Sequence, residues 1–328
     1  MLDPRSPSLI ARRRRAFTLT ELLVAIGIIA LLIAILLPAL AKALGKAKAT
    51  QTASTMQEFA KGCDAYFQEF GRYPGLVPEQ ILASDPKISG TENALLALMG
   101  GAVDQDDPSY NSFTSSDGWV TIDFGSGTNS FEIKVNPLKV GEGPRVAGKQ
   151  YPPFFAPKAT EVAPAKHSTT VGGPGPSPDL PDLVDAWGQP IIYLRAIRDT
   201  GPLVGAETVA QFSRRPIFPY IEGIVELGEL GKSQASSVLA IGNDAQKDAT
   251  LAQIIRSPAI GAGNAPLNGT ARGRYVIISP GPDGIFFSSE QVRTSAGNPL
   301  TDIVSQATNP AGPDLVKSYD DVIVAGGG

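Results

Sequence analysis

Residues 12–37 read Arg12-Arg13-Arg14-Arg15-Ala16-Phe17-Thr18-Leu19-Thr20-Glu21, followed by Leu22-Leu23-Val24-Ala25-Ile26-Gly27-Ile28-Ile29-Ala30-Leu31-Leu32-Ile33-Ala34-Ile35-Leu36-Leu37. The uncharged stretch continues to Ala41, and twenty residues at about 1.5 Å each match the roughly 30 Å hydrocarbon core of a bilayer. Basic residues beside a span hold their side in the cytoplasm, so the arginine block predicts a cytoplasmic N-terminus and an exported C-terminal part. Glu21 is surplus to that purpose. A carboxylate at the mouth of a membrane helix costs about 2.5–3.5 kcal/mol if it lies deep and unpaired, so it asks for a partner. In the first helical turn it also meets the positive end of the helix dipole.

These residues resemble the class III leader of type IV pilins and pseudopilins. The resemblance implies that a prepilin peptidase cuts between Ala16 and Phe17 and methylates the new amine. It also implies that Glu21, four residues after Phe17, pairs with that amine in the same or a neighbouring subunit as helices assemble. Three other readings compete. A plain signal anchor leaves Glu21 unexplained. A conventional secretory signal finds a small-x-small site in Ala39-Leu40-Ala41 behind Pro38, but its apolar core would exceed the usual 7–15 residues or so and the glutamate would again be surplus. Four arginines can form a nucleic-acid arm, yet directly beside an apolar twenty-mer they read as a topology signal.

Composition agrees with an exported, membrane-anchored chain. Cleavage after Ala16 leaves 23 basic and 31 acidic residues, a net charge of −8, which is a poor surface for nucleic acid backbones. The 287 residues after Ala41 suffice for one large or two small domains with a real core. Cys63 is the single cysteine, so no intrachain disulfide forms.

Beyond the span, Met56, Phe59, Ala60, Cys63, Phe67 and Phe70 return at spacings of three and four, the apolar stripe of an amphipathic helix. Pro38 and Gly45 interrupt this long helical pattern and predict a kink or a locally melted turn. Gly71-Arg72-Tyr73-Pro74 stops the helix. Thr91-Glu92-Asn93 is expected to cap a short helix over 94–99 that closes at Gly100-Gly101. Residues 119–124 and 131–135 alternate apolar and polar around a Gly-Ser-Gly connection and read as a hairpin with one buried face. Residues 141–181 are rich in proline and glycine and read as an exposed loop. The stretch 200–273 is a second insertion with a helix near 244–256. His167, the one histidine, falls in the first insertion and gives a histidine-based site no support.

Two further stretches extend the resemblance to the G-type, or major, pseudopilins of type II secretion. Asp185-Ala186-Trp187-Gly188-Gln189-Pro190 and the strand after it are similar to that family's Asp-Pro-Trp-Gly-x-Pro turn, with Ala186 in the place of proline. Without the family, Asp185 and Gly188 favour a tight turn and Trp187 offers a large surface to bury. Residues 275–284 resemble the family's Ser-x-Gly-x-Asp-Gly loop, which implies a calcium site. Asp283 matches the loop aspartate, Asp320 and Asp321 match a later acidic pair, and backbone carbonyls near Ile278 and Ser279 would complete the oxygens that a hard cation requires. About three dozen residues separate Asp283 from Asp320 where the family has a short link. Without calcium these are a plain turn and a solvated strand start.

Enzyme motifs do not fit. Gly231-Lys232-Ser233 lacks the glycine five positions earlier that a phosphate-binding loop needs, because Glu226 stands there. No Gly-x-Ser-x-Gly elbow and no cysteine pair occurs. The expected fold is α+β and pilin-like: a long N-terminal helix, its first half in the membrane, packed on a small antiparallel β-sheet. Its divisions are a leader (1–16), a span (17–41), a soluble helix (42–70) and a globular domain (71–328) with insertions near 141–181, 200–273 and 289–318. The expected function is structural, not enzymatic: a pseudopilus subunit of type II secretion that self-assembles into a helical filament. Its partners would be the prepilin peptidase, an inner-membrane secretion platform and minor pseudopilins. It would cross the inner membrane once, with its C-terminal domain periplasmic or otherwise extracytoplasmic. The alternatives are a type IV pilin for adhesion, motility or DNA uptake, and a secreted enzyme or binding protein behind a conventional signal peptide.

Overall fold

The computed structural model describes residues 18–85, 87–125, 127, 130–167, 180–214, 225–226, 234, 236–257, 269–291 and 315–327. The chain divides into two compact units, Met1–Ala47 and Lys48–Gly328. In order, the helices are α1 (Leu19–Phe70), α2 (Glu79–Ser84), α3 (Gly90–Met99) and α4 (Asp244–Ile255). The strands are β1 (Ala102–Asp104), β2 (Val120–Phe124), β3 (Phe131–Val135), β4 (Arg145–Val146), β5 (Lys149–Gln150), β6 (Val162–His167), β7 (Leu180–Leu183), β8 (Ile192–Arg195), β9 (Val225–Glu226), β10 (Tyr275–Ser279) and β11 (Val322–Gly326). The result is α+β and pilin-like, with a long N-terminal apolar helix and small antiparallel sheets.

In the first unit α1 carries its large apolar side chains into the open, from Ile33 at 49% to Leu19 at 78% exposure. The helix runs on through Pro38 and Gly45, so no melted turn separates its two parts. A proline inside a membrane helix is tolerated because local adjustments and neighbouring groups satisfy the freed carbonyl.

In the second unit the same helix buries Thr52, Thr55, Met56, Phe59, Ala60, Gly62, Cys63 and Tyr66. The stripe differs from the expected one at its end. Tyr66 is buried, whereas Phe67 is 41% exposed and stacks on Tyr73 at 4.6 Å. From Phe59, steps of four and three reach Cys63 and Tyr66, while Phe67 lies about 100° further round the helix. The buried threonines anchor the helix by hydrogen bonds: Thr55 Oγ1 donates to Glu161 Oε1 at 2.9 Å, and Thr52 Oγ1 accepts from Ala186 N at 3.1 Å. Gly62 lets the chain pass close, since a Cβ there would lie 2.9 Å from the carbonyl oxygen of Phe154.

That approach corrects the exposed-loop expectation for the first insertion. Its start folds as the β4–β5 hairpin, and Phe155, 5% exposed, meets Phe59 edge-on at 5.2 Å. Phe154 likewise meets Tyr66 and Phe70. Further on, β6 pairs with β7 and β9. Residues 168–179 lie outside the described part.

The expected hairpin forms as β2 and β3, with Ile122 opposite Ile133 and Phe124 opposite Phe131, and β1 adds to the far side of β3. A separate sheet has the order β11-β10-β8, antiparallel throughout. All five residues of β10 are buried. Tyr275 and Ile277 point into the core that contains Phe59 and Tyr66, and Val276 and Ile278 point into a second core. That second core draws Leu203, Val204, Phe212, Leu251, Ile254 and Ile255 from the 200–273 insertion. The insertion therefore covers a sheet face that would otherwise meet water, which explains why β10 reads as continuously apolar.

Local caps explain the short helices. Helix α3 starts at Gly90, four residues earlier than expected, because Ser89 caps it: Ser89 Oγ accepts from Glu92 N and Glu92 Oε2 accepts from Ser89 N. Thr91 instead bridges to β8, donating to Ile191 O and accepting from Tyr193 N. Asn243 and Gln246 form the same reciprocal cap on α4.

Candidate functional site

The N-terminus of α1 is built from the four residues Thr18-Leu19-Thr20-Glu21. Glu21 Oε2 accepts from Thr18 N at 2.9 Å and from Thr18 Oγ1 at 2.8 Å, and Glu21 N donates back to Thr18 Oγ1 at 3.2 Å. This is a reciprocal capping box, threonine at the cap and glutamate three residues on. The Thr-x-x-Glu spacing was visible in the sequence and was not used there. Its consequence is positional. The carboxylate folds back over the first turn onto Thr18, the residue that follows Phe17 in sequence, while Ala16 and Phe17 themselves lie outside the described residues. Glu21 Oε1 accepts no hydrogen bond among the described residues, which leaves acceptor capacity at the helix mouth. Glu21 shares one helix face with Thr20, Val24, Ala25 and Ile28.

The second place is the loop after β10. Ile278 sits within the ladder, opposite Ile192 and Ile323, where neighbouring strands take up backbone groups. Ser279 faces Val322 and gives its hydroxyl to Asp185 Oδ2 at 2.7 Å. Asp185 also accepts from Trp187 N and Gln189 N, so it organises the expected tight turn, with Gly188 at φ +80°. Trp187 itself is half-buried, so the turn rests on Asp185 and not on a large indole surface.

Asp283 and Asp320 share a partner, and Asp321 lies beside them. The Gln291 side-chain amide donates to Asp283 Oδ2 at 2.8 Å and also to Asp320 Oδ1. Asp321 accepts from Phe287 N at 3.0 and 3.2 Å, and Phe287 takes φ +49°, unusual for a bulky residue. Burial, with Asp320 and Asp283 nearby, pushes the Asp321 carboxyl up to about 8. The carboxylates are thus met by amide donors. Among the described residues no group of three or more His, Cys, Asp or Glu side chains is placed to hold a metal ion.

Comparison with protein families finds the prokaryotic N-terminal methylation motif over residues 11–37. No curated protein and no solved structure matches the chain. The matched stretch contains the arginine block, Phe17, the capped Glu21 and most of the exposed apolar run, and α1 is long and apolar enough to cross a membrane. The chain therefore opens with a prokaryotic N-terminal methylation motif, the leader and helix start of type IV pilin-like substrates of the prepilin peptidase.

Proposed function

We propose that this protein is a structural subunit of a type II secretion pseudopilus, cut before Phe17 and assembled through α1 into a helical filament. The observation that carries the reading is the pairing of a methylation motif with a helix whose large apolar side chains from Leu22 to Leu40 are all 49% or more exposed. A lone membrane anchor explains the apolar surface but gives Glu21 no partner. Phe17 N, freed by cleavage and positively charged, supplies one within a residue of the capping box. The secretion assignment over a type IV pilus rests on the soluble stretches around Asp185 and Asp283. N-terminal mass spectrometry of the mature chain tests the processing step. Methyl-phenylalanine at position 17 is expected, and a chain starting at Lys42 would establish a conventional secretory signal instead.

A calcium ion belongs to the same reading. Gln291 joins Asp283 and Asp320, and a cation would replace its amide between them and draw in Asp321 from Phe287 N, with oxygens near Ile278 and Ser279 completing the shell. The present donors do not form a finished cage, so the ion would have to rearrange Gln291. A thermal melt of the 49–328 fragment with calcium and with chelator reads this directly. A rise with calcium that Asp321→Ala removes supports the ion, and equal melting in both returns the loop to a plain turn.

A further inference from the structure

Between Glu21 and Glu58 the sequence has no acidic residue and no arginine, and its only charges are Lys42, Lys46 and Lys48. Helix α1 fixes where the first two stand. Measured from Ala41, the last residue of the apolar run, Lys42 lies about 1.5 Å and Lys46 about 7.5 Å further along the axis. The headgroup layer on each side of a bilayer is roughly 5–7.5 Å deep, so the backbone of both lysines falls at its level. Four residues apart, they lie within about 40° of each other on one helix face, and both are exposed.

Processing changes what these lysines do. The uncut chain carries five arginines before Phe17, which hold the cytoplasmic end of the span. Cleavage removes all five. The cytoplasmic end then retains one amine and Glu21, which offset each other, so the basic residues of the mature span lie at its opposite end. We propose that Lys42 and Lys46 form a phosphate-binding collar that docks on an anionic phospholipid surface, and that after leader removal this collar sets the depth of the helix in the outer leaflet. The partner is a lipid surface because the collar is continuous with the span, where phosphate groups are the charges at that depth. Outward movement of the helix into a filament then has to release lipid headgroups, but drags no arginine through the hydrocarbon core.

The inference rests on the membrane-span reading above, and its test separates the two. The mature full-length chain, starting at Phe17, is placed in nanodiscs of mixed phosphatidylcholine and phosphatidylglycerol, and the lipids it retains are counted by native mass spectrometry at low salt. Each lysine near an anionic surface is worth about fivefold in partition, so phosphatidylglycerol should be preferred by up to about 30-fold. Lys42→Gln with Lys46→Gln should abolish the preference, Lys42→Arg with Lys46→Arg should keep it, and salt near 1 M should erase it. An incorporated chain with no lipid preference, or a preference that survives the double glutamine variant, overturns the collar alone. Failure to enter the disc overturns the span reading together with it.

Discussion

The two parts of α1 belong to one continuous helix and use their apolar side chains in opposite ways. From Leu22 to Leu44 the large apolar side chains are 49% or more exposed, whereas Met56, Phe59, Cys63 and Tyr66 are at 0%. The difference lies in the pattern. Residues 22–41 are apolar on every side, which suits lipid or other helices. Residues 52–66 are apolar at steps of three and four, with polar residues between, which suits a single protein face. Truncations in the two stretches should therefore affect different measurements. Phe59 touches Phe155 and Tyr193 edge-on, so Phe59→Ala should cost the 48–328 unit about 3–5 kcal/mol in urea unfolding, while Leu32→Ala leaves that unfolding unchanged. A small loss at Phe59 would mean that the second stretch is not core.

Outside the helix, the acidic loop gives the next largest expected effect. Asp321 has a folded-state pKa of about 8 against 3.8, so the native state holds a proton there that the unfolded chain has lost. The stability this contributes is complete below about pH 4 and is lost as pH rises towards 8. Between pH 5 and 8.5 the 48–328 unit should lose about 2–3 kcal/mol once partial solvent screening is allowed for. Asp321→Asn should flatten the profile, and saturating calcium should flatten it too if the ion takes the three carboxylates. A profile that is already flat in the wild type would show Asp321 charged throughout.

Two glycines sharpen the helix comparison. Gly27 has nothing within 4 Å of an added Cβ, whereas Gly62 faces the Phe154 carbonyl oxygen at 2.9 Å. Gly62→Ala should cost about 1–2 kcal/mol, overpacking outweighing the gain in helix propensity. Gly27→Ala should leave both membrane insertion and unfolding of the 48–328 unit as they are. Equal tolerance at both positions would remove the contrast.

Much of this was legible from single stretches. Helix α1, the β2–β3 hairpin, α4, the turn at Asp185 and strands β8 and β10 all follow local period or turn chemistry. What was missed depends on partners far along the chain. Phe154 and Phe155 stand among prolines, and what orders them is contact with distant residues: Phe59, Tyr66 and Phe70 through their rings and Leu98 O through Phe154 N. The residues of the 200–273 insertion lack a clear period because they cover one face of β10 from several short pieces. The choice of Tyr66 over Phe67 turns on a 100° rotation that composition cannot see. The Ser89 cap and the Thr18–Glu21 box were within reach, since each is a residue pair at a spacing of three.

The smallest energetic effect bears on the N-terminal site itself. Thr18→Ala removes the capping hydroxyl and should cost the helix start about 1 kcal/mol, read as faster amide exchange over 19–22 in detergent. That box also makes the central claim separable from plain helix capping, because glutamine can take the place of glutamate in it while losing the charge. The decisive measurement is the yield of cross-linked filament per processed subunit for Glu21→Gln in cells that carry the assembly machinery. If Glu21 neutralises the Phe17 amine between subunits, this variant is cut and inserted normally yet gives little filament. Wild-type filament from Glu21→Gln would leave Glu21 as a helix cap and contradict assembly by charge pairing.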